Sequence, residues 1–148
     1  MMKKLIPTLL LFVFFSTECT YNNVYINRED DNIEGKTYLK KIYQDIEAKN
    51  FDHLDAMVSD SLKQLAGPNG VSKLVVYINR KVGNYKSYIV VDRYIRAVTG
   101  SNNEISYNYK LKVTYDKGII DEVIGFKKQN GSAIKIYTYH ANSDLLMR

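Results

Sequence analysis

The stretch ISYNYKLKVTY, Ile105–Tyr115, decides the fold. Ile105, Tyr107, Tyr109, Leu111, Val113 and Tyr115 alternate with Ser106, Asn108, Lys110, Lys112 and Thr114. A strict two-residue period over eleven positions is the signature of a strand with one buried and one wet face. On either side stand YIVVDRYIRAV before it, then IIDEVIGFKK and AIKIYTYH after it. The connections TGSNNE, DKG and QNGS are short and rich in turn residues, so sequential strands are expected to pair antiparallel. The second half of the chain therefore reads as a four-stranded meander.

Ahead of the meander the period changes. Leu39, Ile42, Tyr43 and Ile46 fall at i, i+3, i+4 and i+7, one stripe of a helix. Asp31 with Glu34 is expected to form a capping box at its start, Lys41 with Asp45 and Asp45 with Lys49 to pair on its wet face, and Asn50 to close it. A short second helix is expected from an Asp52 N-cap through Leu54, Met57 and Val58, with Pro68, Asn69 and Gly70 breaking the chain before a third. That third stripe is Val71, Leu74, Val75, Ile78 and Val82, ended by Gly83. Three helices segregated before an antiparallel sheet indicate an α+β domain, the helices covering one face.

The opening residues have another logic. Lys3 and Lys4 precede LIPTLLLFVFF, the layout of a secretory signal, and the run is far shorter than the roughly 20 apolar residues of a spanning helix. Residues 1–18 are thus expected to be a signal peptide. Cys19, the single cysteine, can form no internal disulfide in an exported chain. Its place after the apolar run resembles the cleavage and acylation site of bacterial lipoproteins, although Ser16 and Glu18 stand where that family's box has a leucine and a small residue. The competing readings are ordinary signal cleavage nearby, with a free thiol, and an uncleaved anchor. The resemblance implies a fatty-acylated Cys19 holding the protein on a membrane, and Thr20, in place of aspartate, points to the outer membrane. Residues 19–31, polar and without periodicity, read as a flexible tether, and 32–148 as one domain.

YQDIEAKNFDHLDAMVSDSL and INRKVGNYKSYIVVD carry a second resemblance. The first looks like the opening of the nuclear-transport-factor-2-like superfamily, and the second like the helix end, glycine and first long strand of its small exported bacterial members. The resemblance implies a cone-like domain, a curved sheet wrapped around helices, in a superfamily that includes isomerases, dehydratases and proteins without known catalysis.

Candidate chemistry is sparse. Asp92, among Tyr88–Val91, Tyr94 and Ile95, is the first choice for a buried acid, with a bulge or an ion pair to a neighbouring arginine as its bland explanation. Glu122 shares a strand face with Ile120, Ile124 and Phe126. Tyr109 is the candidate hydrogen-bond donor to an oxyanion, and His140, in phase with Ile134 and Ile136, is a candidate for the mouth of the cone. His53 lies beside Asp52 and Asp55, whose expected work is capping. All 13 tyrosines follow the signal, and their hydroxyls are expected at wet strand rims.

The formal charge of +5 falls to +4 once Lys3, Lys4 and Glu18 are removed. Lys110, Lys112, Lys127, Lys128 and Lys135 are expected to make a basic sheet surface. Export and the lack of a recognition motif exclude nucleic acid. Two histidines and one cysteine set no metal-ligand spacing, and no phosphate-binding glycine loop is present, so no cofactor or metal is expected. The reading is a bacterial envelope lipoprotein, facing the periplasm or the surface, or else a secreted or soluble periplasmic protein. Its domain is expected to bind a protein partner or a small apolar molecule without catalysis, with Asp92 and Glu122 exposed or ion-paired. The alternative is a small isomerase- or dehydratase-like enzyme using a buried carboxylate and a tyrosine.

Overall fold

A computed structural model describes residues 21–147; the signal segment and Cys19 lie outside the described residues. The elements run β1 (Asn23–Ile26), α1 (Glu29–Ala48), α2 (Phe51–Ala56), α3 (Asp60–Ala66), α4 (Gly70–Val82), β2 (Tyr85–Thr99), β3 (Glu104–Tyr115), β4 (Gly118–Gln129), β5 (Lys135–Asn142) and α5 (Asp144–Met147). The domain is α+β with a five-stranded antiparallel sheet in the order β1-β2-β3-β4-β5. Five strands replace the expected four because NVYI, inside the expected tether, pairs with residues 96–99 of β2. Four residues are too few for a periodicity to show, and their partner lies about 70 positions away, so local sequence does not announce the strand. The packed unit accordingly begins before residue 32.

The α1 stripe behaves as its spacing demands: Leu39 and Ile42 are fully buried, and Tyr43 and Ile46 nearly so. Each apolar side chain of this size contributes about 1.5–3 kcal/mol on burial. The caps differ from expectation. α1 starts three residues earlier, after Arg28, whose guanidinium holds both oxygens of Asp31 at 2.7 and 3.0 Å. Asp31 is thereby unavailable for a capping box, and Glu34 is drawn to the sheet. Lys49, in the left-handed region at φ 56, closes α1, and Asn50 precedes α2.

Val71, Val75, Ile78 and Val82 of α4 are buried against the same core, and Gly83, at φ 86, ends that helix. The start of α4 is capped from another helix. Asp55 of α2 accepts from the Ser72 backbone N–H at 3.3 Å and from its hydroxyl at 2.6 Å. Asp55→Ala should therefore lower stability by about 1–2 kcal/mol in urea denaturation, the range for loss of an N-terminal cap. An unchanged midpoint denies Asp55 that role.

The helices cover one face of the sheet and are stitched to it at β5. Ile136 N–H donates to the Met57 carbonyl and Ser59 N–H to the Ile136 carbonyl, both at 2.8 Å, through a parallel bridge between Val58 and Ile136. Besides an irregularity at Lys86, bulges in β2 and β5 reset the side-chain phase. In β2 an extra residue at Val91 shifts the inward set from Tyr88 and Val90 to Ile95 and Ala97. In β5 the extra residue is Tyr137, so Ile136 and Tyr139 both face the core although three positions apart. A single inserted residue flips every later side chain to the opposite face.

Candidate functional site

The inward faces of β3, β4 and β5 meet α1 around one carboxylate. Glu122 lies in phase with Ile120, Ile124 and Phe126, as alternation required, and is 1% exposed. Tyr115 of β3 donates to its Oε1 at 2.6 Å; Tyr43 of α1 and Tyr139 of β5 donate to its Oε2, each at 2.7 Å. Tyr85 and Tyr88 of β2 close the group, their rings 5.1 and 4.7 Å from that of Tyr43. Four elements thus converge on one acid through aromatic side chains.

Among the described residues no cation pairs with Glu122. Burial pushes its carboxyl above the ordinary carboxylate range, and the three phenol donors, which favour the charged form, offset that only in part. The same burial raises Tyr43, Tyr115 and Tyr139 well above the usual phenol range, reinforced by the neighbouring carboxylate. Tyr85, on the margin, rises to about 12. The phenols are therefore fixed donors. Chemically the cluster can bind a proton or hold a charge, and Glu122 borders none of the larger surface clefts.

The expectation that the tyrosine hydroxyls sit at wet rims is corrected here. Tyr107, Tyr109 and Tyr115 share the buried phase of β3, as the opening alternation showed, and their hydroxyls point into the domain. Tyr107 donates to Glu34, which also takes Lys128 Nζ at 2.6 Å. Burial raises the Glu34 carboxyl, but these two donors outweigh it and the net direction is down. Tyr109, the expected oxyanion donor, is 1% exposed and its hydroxyl has no hydrogen-bond partner among the described residues. It lies against Gly35 of α1.

Asp92, the first choice for a buried acid but in the binding reading expected exposed or ion-paired, is 62% exposed in its side chain and stands 3.6 Å from Lys110 Nζ. Its polarity followed from the bulge at Val91, which turns it to the outer face; the ion partner is a cross-strand lysine rather than an arginine. The depression beside it, of about 70 Å³, is lined by Arg93, Tyr94, Asn108, Tyr109, Lys110 and Val123. His140 is exposed, because the Tyr137 bulge breaks its phase with Ile136. His53 leans on Asp45, Nδ1 to Oδ2 2.6 Å, and on neither Asp52 nor Asp55. Asp45, expected on the wet face, is 8% exposed and also receives Asn50.

The outer face of the sheet is likewise not the basic surface that the lysine positions suggested. Lys112 pairs with Asp121 at 3.0 Å, Lys127 with Glu104 at 3.5 Å and Lys110 with Asp92, while Lys128, in phase with Phe126, turns to the helix-covered face and pairs with Glu34. Lys135 Nζ donates to the Ala56 carbonyl. Tyr137 lies over Gly125, whose missing Cβ leaves the space, with Lys127 Nζ 4.8 Å from its ring centre. Exposed apolar side chains stand instead along β1 and β2: Val24, Tyr25, Ile26, Ile89, Val91 and Tyr94 are all at least 41% exposed. No other part of the sheet concentrates them so.

No protein-family model matches the chain, and no curated protein matches it. Among the described residues no group of three or more His, Cys, Asp or Glu could hold a metal ion, and no helix is long and apolar enough to cross a membrane.

Proposed function

We propose that this chain is an envelope lipoprotein of a bacterium, anchored through Cys19, whose cone-like domain of the nuclear-transport-factor-2-like kind binds a protein partner without catalysing a reaction. The observation that carries the binding assignment is the row of exposed apolar side chains along β1 and β2, on a sheet whose remaining outer surface is neutralised by ion pairs. Apolar patches rimmed by paired charge are where proteins meet. The bulges in β2 and β5 support a bent sheet, since each adds local twist.

The enzymatic reading needs a carboxylate that a substrate can reach. Asp92 is on the outer surface in an ion pair, and both oxygens of Glu122 are occupied by phenols at 1% exposure. A general base must come within hydrogen-bond reach of the proton it takes. Contrary to the expectation attached to the binding reading, Glu122 is neither exposed nor ion-paired; its satisfied network serves the same conclusion by another route.

Two measurements test the proposal. Intact-mass analysis of the mature protein from its host should give an N-terminus at Cys19 carrying acyl mass; a start elsewhere refutes the anchor. Photo-crosslinking residues placed at Val24 and at Ile89 of the full chain should give discrete adducts in the envelope, and the same residue at Leu65, exposed on α3, should give none. Adducts from all three sites alike, or from none, refute the binding surface.

A further inference from the structure

The place where the chain enters the fold is fixed by contacts. Asn23 pairs with Thr99, and a Cβ on Gly100 would collide with Asn22 Oδ1 and stand 3.1 Å from the Tyr21 carbonyl oxygen, so Tyr21 and Asn22 lie against the turn between β2 and β3. That turn is itself held. Asn103 Oδ1 accepts from Gly100 N–H at 3.0 Å, Asn103 N–H donates to Asn130 Oδ1 at 3.0 Å, and Asn130 N–H donates back to the Asn103 carbonyl at 2.8 Å. Residues 21–22, the β2–β3 turn at 100–103 and the β4–β5 turn at 130–133 therefore form one end of the sheet.

Only Thr20 separates Cys19 from Tyr21. Two Cα steps, each about 3.8 Å, keep the Cys19 backbone within about 8 Å of Tyr21 whatever their conformation. A lipid on Cys19 thus leaves no length for a stalk, because NVYI, the next stretch of chain, is bound to β2. The composition of this end suits contact with lipid headgroups. Its residues are Tyr, Asn, Gly, Ser and Ala, all exposed and none charged, so an anionic surface does not repel it, and its amides and hydroxyls can bond phosphate and carbonyl oxygens. Tyr21, 83% exposed, adds a ring of the kind that gathers at headgroup level. The opposite end of the sheet has another character: the β3–β4 turn carries the charged Asp116 and Lys117, and the 12 residues of β3 place it roughly 35 Å away.

We propose that this end is a seat on the lipid bilayer: Cys19, through a link too short to let the domain leave, holds the β2–β3 and β4–β5 turns against the headgroups, and the strands lead away from the surface. This rests on the acylation of Cys19 in the proposed function and adds the orientation of the domain. A domain swinging free on a tether needs a length of chain that the pairing of β1 removes. The orientation also places the exposed apolar row. Val24, opposite Val98, stands next to the seat and Ile89 roughly 30 Å above it, so a partner covering the row binds close to the bilayer.

The test uses the mature full chain from its host, in vesicles of phosphatidylethanolamine and phosphatidylglycerol with a nitroxide quencher on a fraction of the headgroups. Cys19 is the single cysteine, so once its sulfur is acylated a thiol introduced by Ser101→Cys, Ser132→Cys or Lys117→Cys is the one a fluorescent dye can label. The dye should lose most of its emission at 101 and at 132 and none at 117. Inserting about twenty Gly and Ser residues between Thr20 and Tyr21 adds a coil of roughly 25 Å and should restore the emission at 101 and 132 while the protein stays on the vesicles. Vesicle-bound protein quenched equally at all three sites or at none, or quenching that the insertion does not relieve, overturns the seat and leaves the anchor standing. A mature chain without acyl mass at Cys19 overturns both.

Discussion

Glu122→Leu should cost the domain about 3–6 kcal/mol in denaturant unfolding, a large part of the roughly 5–15 kcal/mol that holds a domain together. Leucine fits an apolar face shared with Ile120, Ile124 and Phe126, so volume is not the cause. The cost arises because Tyr43, Tyr115 and Tyr139 lose the carboxylate that accepts from them inside the core, and each buried, unpaired donor costs about 1–3 kcal/mol. Combining Glu122→Leu with phenylalanine at all three tyrosines should recover most of the loss, since removing donors along with the acceptor can be nearly neutral. A Glu122→Leu protein as stable as wild type shows that the hydroxyls find other partners.

The same cluster sets a pH dependence. Burial holds the folded Glu122 carboxyl above the ordinary glutamate value of 4.5, so over the interval above 4.5 the folded protein keeps a proton that the unfolded chain releases. Stability must fall as pH rises through that interval. Glu34 and Asp116 are shifted the other way, by Lys128 with Tyr107 and by Lys86, and their stabilisation is lost as pH falls. Comparison with Glu122→Gln isolates the first effect, because the other carboxylates are common to both proteins. The stability difference, wild type minus Glu122→Gln, should decline as pH is raised above 4.5; a difference that is flat or rises with pH refutes the assigned direction.

Much of this arrangement was legible before any coordinates. The alternation of Ile105 to Tyr115 gave β3 both its extent and its buried face, and the stripes of α1 and α4 named their core residues without error at Leu39, Ile42, Val75 and Ile78. Glu122 was placed on the apolar face by the same period. What stayed hidden depended on insertions and long-range partners. The bulges at Val91 and Tyr137 exchange inside for outside after one residue, so alternation alone does not tell on which face Asp92 and His140 stand. The convergence of Tyr43, Tyr115 and Tyr139 joins positions up to 96 apart in the chain and leaves no local pattern, although three tyrosines in inward phase around an inward glutamate were a usable signal. β1 was hidden for the same reason: its pairing is decided by β2.

The closest approach of helix and sheet yields the other large effect. Gly35 lies in the middle of α1, where glycine ordinarily weakens a helix by roughly 0.5–1 kcal/mol relative to alanine. Gly35→Ala should nevertheless destabilise this domain by about 1–3 kcal/mol, the usual range for overpacking a core. An alanine Cβ at this position falls 2.8 Å from Tyr107 Cδ1 and tighter still against the Tyr109 hydroxyl. Neither ring can yield, because both stack on Phe126, at centroid distances of 5.0 and 5.6 Å, within a fully buried cluster. The Tyr109 hydroxyl, buried and without a hydrogen-bond partner, contributes nothing that offsets its own desolvation, so Tyr109→Phe should be neutral or stabilising by about 1 kcal/mol. Removing that oxygen also opens part of the space an alanine needs. In Gly35→Ala with Tyr109→Phe the loss should therefore be smaller than the sum of the single changes, with a coupling of about 0.5–2 kcal/mol, and not zero because the Tyr107 contact persists. Strict additivity in that double-mutant cycle excludes the Tyr109 hydroxyl as the atom that keeps residue 35 a glycine.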